Sequence, residues 1–517
     1  MRRLISIAVV LTAAAAALPV AFLSSCSSGS SHAGGPADAG PACAENDADF
    51  GADGEVLTPC AWNAPVTQPA ESTAAPQRAA CQFGRGDLPM ATLGPTVLPQ
   101  SMPIDNIVVV MMENHSFDSY LGHLNEYGNR SDVDEADAGT TNPDVDGAAV
   151  PWAHAAHPCT ADTDHEWAGT HQEVDHGKMD GFVTTNDGHY SGNSFVPGPP
   201  DGGDPSLYSG SRAMVWYDQT DLPFYYQLAN TFAVADHYHC AVQGPTWPNR
   251  MYLLAGTSFG ETTNNFPDIT AYPYPQNDAS ILDELEKRGV TWQLYTDGVP
   301  GAGVIYSTAL ANRWGRLVVS SFSQFQKDAQ SGNLPQVAFV DPDLSSESSL
   351  GAGTDEHPPG DIQSGQLFVS QVVQAVTSGP QWAHTALFLT HDENGGFYDH
   401  VAPPAACPPD SIQPILASGD TTDAGFDADG IRVLLIAVSP YARKGYVSHN
   451  VYDHTSLTRF IEAKFQVPAL SARDANALPP TDLFDFTDPP AFATPPALTP
   501  PTIDPTQLSY CESVFGN

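Results

Sequence analysis

The run Ile104-Asp105-Asn106-Ile107-Val108-Val109-Val110-Met111-Met112 is apolar for most of its length and does not alternate with polar residues. That is the pattern of a strand covered on both faces, which needs layers of helix above and below it. The chain supplies them in turn. A helical stretch from Ser280 to Arg288 leads to strand-like Val290 to Tyr295, and Phe322 to Gln330 leads to Val337 to Val340. Gln366 to Val376 then runs into Ala386 to Thr390, and Ile431 to Val438 precedes an amphipathic segment, Ser456 to Phe465. This alternation predicts an α/β fold: a mostly parallel central sheet with helices on both faces, one domain with insertions over residues 101–490. In such sheets, sites form at the carboxyl ends of strands.

The flanks read differently. Arg2 and Arg3 precede an apolar run from Leu4 to about Leu23, the pattern of a secretory signal. Leu23-Ser24-Ser25-Cys26 resembles the lipobox of bacterial lipoproteins, so residues 1–26 are expected to be a lipoprotein signal peptide, with Cys26 carrying a membrane lipid anchor. A plain cleaved signal and a retained anchor are the alternatives. The expected location is the cell envelope, as an outer-membrane or periplasmic lipoprotein, or outside the cell. Residues 27–100, rich in Ala, Gly, Pro and Ser, predict a flexible tether, and residues 491–517 a Pro-rich tail. Of the seven cysteines after Cys26, Cys240 is expected to be the unpaired one, since it sits in an apolar strand-like stretch. With 60 Asp+Glu against 19 Lys+Arg, the net charge of -41 excludes nucleic acid as a partner. The same field favours neutral or zwitterionic substrates unless divalent cations screen it.

Three segments each follow an apolar run, and their polar residues should converge on one sheet edge. Glu113-Asn114-His115-Ser116-Phe117-Asp118 follows Met112 directly. A carboxylate and an amide oxygen there make hard ligands for a divalent cation, although Asn114 or Ser116 would equally cap a helix. Gly244-Pro245-Thr246-Trp247-Pro248-Asn249-Arg250 leads into a helical stretch, placing Thr246 as N-cap or, functionally, a hydroxyl facing helix amides that attract phosphate. Arg250, four residues on, shares its face and is expected to pair with phosphate oxygens. His391-Asp392-Glu393-Asn394-Gly395-Gly396 follows Thr390, and its adjacent carboxylates repel unless a cation lies between them. An acidic surface loop is the plainer reading. Asp355-Glu356-His357 and Asp164-His165 with His171 offer imidazoles. Asn142 to Gly147 is faintly similar to a calcium loop, but Ala153 stands where the closing Glu belongs.

Taken in order, Met112 to Asp118, Gly244 to Arg250, His391 to His400, and Ser439 to Ala442 through Asp453 to Ser456 resemble the bacterial phosphoesterase family, which groups phospholipases C with acid phosphatases. The resemblance implies an alkaline-phosphatase-like fold for the catalytic domain. It also implies one divalent metal ion (Ca, Mg, Mn or Zn) held by Glu113, Asn114, Asp392, Glu393 and Thr246. Thr246 would also be the nucleophile, with His165, His171 and His357 serving the phosphate and leaving group. His357 is the first choice to protonate the leaving oxygen. One departure is His115, where the family commonly has Arg, so that basic character there becomes pH-dependent. The segment Thr-x-Pro-x-Arg also resembles a sulfatase signature, but threonine cannot become formylglycine. The expected substrate is a phosphate ester, with a phospholipid cleaved in the manner of a phospholipase C as the first expectation. Acid phosphatase activity, or phosphate-ligand binding without turnover, are the alternatives.

Overall fold

Every residue of Asn106–Met112 (β1) is buried, as expected of a strand packed on both faces. In the computed structural model, residues 71–93, 102–191, 194–264, 280–298, 319–346, 353–486 and 489–515 are described. The expected signal peptide and Cys26 lie outside them. The remaining strands of the main sheet are β2 (Ala233–Ala235), β3 (Trp292–Tyr295), β4 (Val319–Ser320), β5 (Val337–Val340), β6 (Thr385–His391), β7 (Leu435–Val438) and β8 (Val447–Ser448). Their order across the sheet is β4-β3-β5-β1-β6-β7-β2-β8. Among these strands only β7 runs antiparallel to its neighbours.

The alternation of side chains along β1 divides the core. Ile107, Val109 and Met111 pack with Met251, Leu285 and Phe460 on one face. Val108, Val110 and Met112 pack with Phe117, Phe325 and Val372 on the other. Each side chain removed from water in this way contributes roughly 1.5–3 kcal/mol. Helices on both faces were legible from apolar spacing, but their starts follow capping chemistry. Helix His454–Phe465 begins two residues before the expected Ser456 because Asp453 and Ser456 form a capping box. Helix Ile362–Ser378 starts earlier than Gln366 because Asp361 accepts from the Gln363 amide.

Two flanking expectations need correction. Residues 71–93 fall in the expected tether, yet they form a helix, Glu71–Ala80, and are held on the domain by a Cys81–Cys407 disulfide. Gly86 N also donates to Ala469 O at 2.8 Å. Composition cannot reveal a partner 326 residues away. The Pro-rich tail ends in a helix, Pro505–Phe515, that is fastened by Cys159–Cys511. Cys240 is buried with a free thiol.

Candidate active site

Strands β1 and β6 are parallel neighbours with Met112 opposite His391, so Glu113-Asn114 and Asp392-Glu393 leave the sheet side by side. Backbone bonds hold the pair. Asp392 N donates to Met112 O at 3.0 Å, and Asn114 N to Asp392 Oδ1 at 3.3 Å. Asn114 takes a left-handed φ of 62°, which asparagine tolerates better than most residues. Gly395 is required beside it, because a Cβ there would lie 2.2 Å from Asn114 O.

Thr246 reaches this edge on the helix Thr246–Ala255, where it is the first helical residue; the N-cap is Pro245. Its hydroxyl is therefore not used as a cap. The expected run of helix amides is curtailed, since Trp247 N donates to Asn264 Oδ1 at 3.0 Å and Pro248 has no N–H. Arg250 is also reassigned. Its side chain is 1% exposed and donates to Asp392 Oδ2 at 2.9 Å, Asp341 Oδ1 at 3.1 Å and Glu113 Oε1 at 3.3 Å. A guanidinium bound by carboxylates on three sides organises the ligand cluster instead of gripping phosphate. Sequence reading missed Asp341, although it directly follows a strand, β5, as Glu113 and Asp392 follow theirs.

Burial raises the Glu113 and Glu393 carboxyls well above the ordinary range, and the neighbouring Asp392 raises both further. Asn114 Oδ1 and Glu393 Oε1 are buried without a hydrogen-bond partner. Oxygen atoms left in this state fit a hard divalent cation, which would satisfy them and relieve the carboxylate repulsion. Glu113, Asn114, Asp392 and Glu393, with Thr246 lining the same cavity as Glu113, are the residues that would hold it.

Glu113 and Thr246 line a cavity of about 720 Å³ whose other walls include His165, His357, Tyr190 and Trp247. The His165 and His357 rings lie 5.4 Å apart. Burial, then the neighbouring His357, pulls His165 down to about 3. His171 is not part of this group. It lines a different cavity with Asp175 and Gln243. His115 is no pH-dependent base either: it stacks on Phe397 at 4.5 Å, and burial lowers it to about 3. Behind the cavity, Glu356 accepts from the Tyr120 and Tyr225 hydroxyls and meets His391 Nε2 at 2.8 Å. Its neighbour Asp355 accepts the Glu113 amide through its carbonyl at 2.9 Å. Nothing in the spacing of Asp355-Glu356-His357 distinguished these roles.

A family model described as "Phosphoesterase family" matches residues 104–468. A non-hemolytic phospholipase C of Burkholderia pseudomallei is 30% identical over 430 residues, covering 73% of this chain and 57% of that relative. This chain thus spans little more than half the length of that protein. Phospholipase C B of Mycobacterium tuberculosis (strain H37Rv) is 30% identical over 453 residues, 78% of this chain and 81% of its own. A solved structure of a protein in the alkaline phosphatase superfamily from Vibrio parahaemolyticus aligns over 80% of this chain and 78% of its own, with a TM-score of 0.37 and 8% identity.

Proposed function

The chain belongs to the phosphoesterase family, a hydrolase of phosphoric esters, and from that premise we propose an exported phospholipase C-type phosphodiesterase acting through Thr246 and a divalent cation. The observation that carries this reading is the meeting of Glu113, Asn114, Asp392 and Glu393 at adjacent strand ends, with Glu113 lining the same cavity as Thr246. When bound there, a divalent cation supplies positive charge for the phosphate oxygens and lowers the proton affinity of a neighbouring hydroxyl.

Thr246 Oγ1 attacks phosphorus as the bond to the departing ester oxygen breaks, giving a phosphothreonine that water then hydrolyses. Arg250 keeps Glu113 and Asp392 in place for this step. His165 and His357, on the other walls, meet the charge that develops on the departing oxygen. The cavity that Thr246 lines with Tyr190 and Trp247, about 720 Å³ in volume, leaves room for a second ester substituent, which favours a diester. The phospholipase C names of two relatives favour the same class. Lipid attachment through Cys26 would place the enzyme beside its substrate.

The test is a panel of phosphatidylcholine, a chromogenic bis-ester and the matching mono-ester, each assayed before and after chelation. Bis-ester and lipid cleavage that chelation abolishes supports the reading. Turnover confined to the mono-ester would make the chain an acid phosphatase, and no turnover of any ester would reduce it to a binding protein.

A further inference from the structure

The tripeptide Asp355-Glu356-His357 touches both ligand-bearing strand ends. The Asp355 carbonyl accepts the Glu113 amide at 2.9 Å, just past the end of β1. Glu356 Oε2 lies 2.8 Å from His391 Nε2, and His391 is the last residue of β6, directly before Asp392. Asp355 and His357 line the same cavity as Thr246, whereas Glu356 is 1% exposed and its side chain is held in the core behind that wall.

The placement of Glu356 is over-determined. Its φ is 77°, a left-handed value that a residue with a side chain keeps only where the surroundings hold it there. The hold is on the carboxyl, which accepts from Tyr120 Oη at 3.1 Å and Tyr225 Oη at 2.9 Å besides meeting His391. Room for the side chain depends on Gly365, since a Cβ there would lie 2.1 Å from Glu356 Cγ. The His391 ring depends on Glu356 in turn. Its Nδ1 is buried without a hydrogen-bond partner, so among the described residues Glu356 supplies the ring's one polar contact. Tyr120 meets the ring edge-on at 4.8 Å and Tyr225 stacks on it at 6.2 Å, which gives packing without fixing its rotation. Removing the carboxyl therefore frees the ring that precedes Asp392 and the backbone that carries His357.

We propose that Glu356 is a positioning residue for phosphoester cleavage: its bond to His391 fixes His357 against the strand ends that carry Glu113 and Asp392. This role rests on the reading of the cavity as the site of cleavage. A displacement of about 1 Å among reacting groups costs on the order of 100-fold in rate. A residue that acts on the reacting groups without touching substrate changes kcat and leaves KM alone.

Two variants at residue 356 test this with the chromogenic bis-ester, with rates taken per folded molecule from near-ultraviolet circular dichroism. Glu356→Leu removes the hydrogen bonds, whereas Glu356→Gln keeps them, because its amide can donate to the His391 nitrogen and accept from the tyrosines. Glu356→Leu should lower kcat by about 10–100-fold with KM unchanged, and Glu356→Gln should restore most of that loss. An unchanged kcat in Glu356→Leu, even with reduced stability, would make the residue a structural core group and overturn the proposal. A change confined to KM, or a Glu356→Gln as slow as Glu356→Leu, would overturn it as well. If Glu356→Leu does not fold, the pair Tyr120→Phe and Tyr225→Phe, which removes two of the three holds on the carboxyl, decides: a lower kcat at constant KM supports the role and an unchanged kcat ends it. No turnover by the unaltered chain would end the reading of the cavity and this role together, whereas full turnover in every variant ends this role alone.

Discussion

Arg250 donates from Nε to Oδ2 of Asp392 across 2.9 Å with neither side chain open to solvent, tying the helix that begins at Thr246 to the end of β6. The same guanidinium reaches Glu113 and Asp341, a three-way fork that an ammonium cannot reproduce. Arg250→Ala should therefore lower stability by about 3–5 kcal/mol by stranding buried carboxylates. Arg250→Lys should cost less stability but weaken cation binding about 10–100-fold. Denaturant unfolding and a cation titration of the two variants would check both figures. Equal cation affinity in Arg250→Lys would show that the fork is not needed.

Thr246→Ala should reduce turnover of a chromogenic ester by about four to six orders of magnitude, while unfolding free energy stays within about 0.5 kcal/mol. Thr246→Ser, which keeps the hydroxyl, should recover much of the rate. Mass spectrometry of acid-quenched enzyme should find the phosphate on residue 246. Near-normal activity in Thr246→Ala would dismiss the nucleophile.

Chelation should leave a pH signature as well as an inactive enzyme. In the metal-free chain Glu113 and Glu393 hold their protons more tightly folded than unfolded, because burial raises them and Asp392 adds to it. Stability from those protons is complete below an ordinary carboxylate value, about 4.3, and falls as pH rises above it. A bound cation removes the effect. The gap in thermal midpoint between loaded and stripped protein should widen from pH 5 to pH 8, and a gap that narrows would contradict the assignment.

His400 gives an independent pH test away from the cavity. Burial alone would lower its imidazole, but hydrogen bonds to Asp118 Oδ2 at 2.7 Å and Asp134 Oδ1 at 3.3 Å prevail and hold it at about 10. A raised imidazole stabilises the fold fully below its unfolded value of about 6.5 and ceases to do so as pH climbs toward 10. His400→Gln should flatten that decline between pH 7 and pH 9.5 in urea unfolding. An unchanged slope would place the titration elsewhere.

The sheet was readable because Ile107 to Met112 and Ala386 to Leu389 are apolar without a break, and the motifs at Glu113 and Asp392 were readable because each closely follows such a run. Arg250 was misread for a physical reason: its spacing from Thr246 puts it on the right helix face, but spacing cannot say whether carboxylates or substrate will meet the guanidinium. His171 failed similarly. It lies six residues after His165, and the helix turns it toward a separate cavity. The fastening of residues 71–93 depends on a cysteine partner that no local pattern discloses.

Met112 and His391 are register partners in neighbouring parallel strands, which sets the ligand-bearing strand ends about 4.8 Å apart by backbone pairing alone. No loop length enters that spacing. Excursions such as residues 129–164 can lengthen, shorten or change composition, altering which molecules are admitted, while the reactive pairing stays put. Reactivity and selectivity are thus separately heritable in this chain, the former lodged in the pleat and the latter in what hangs between the strands.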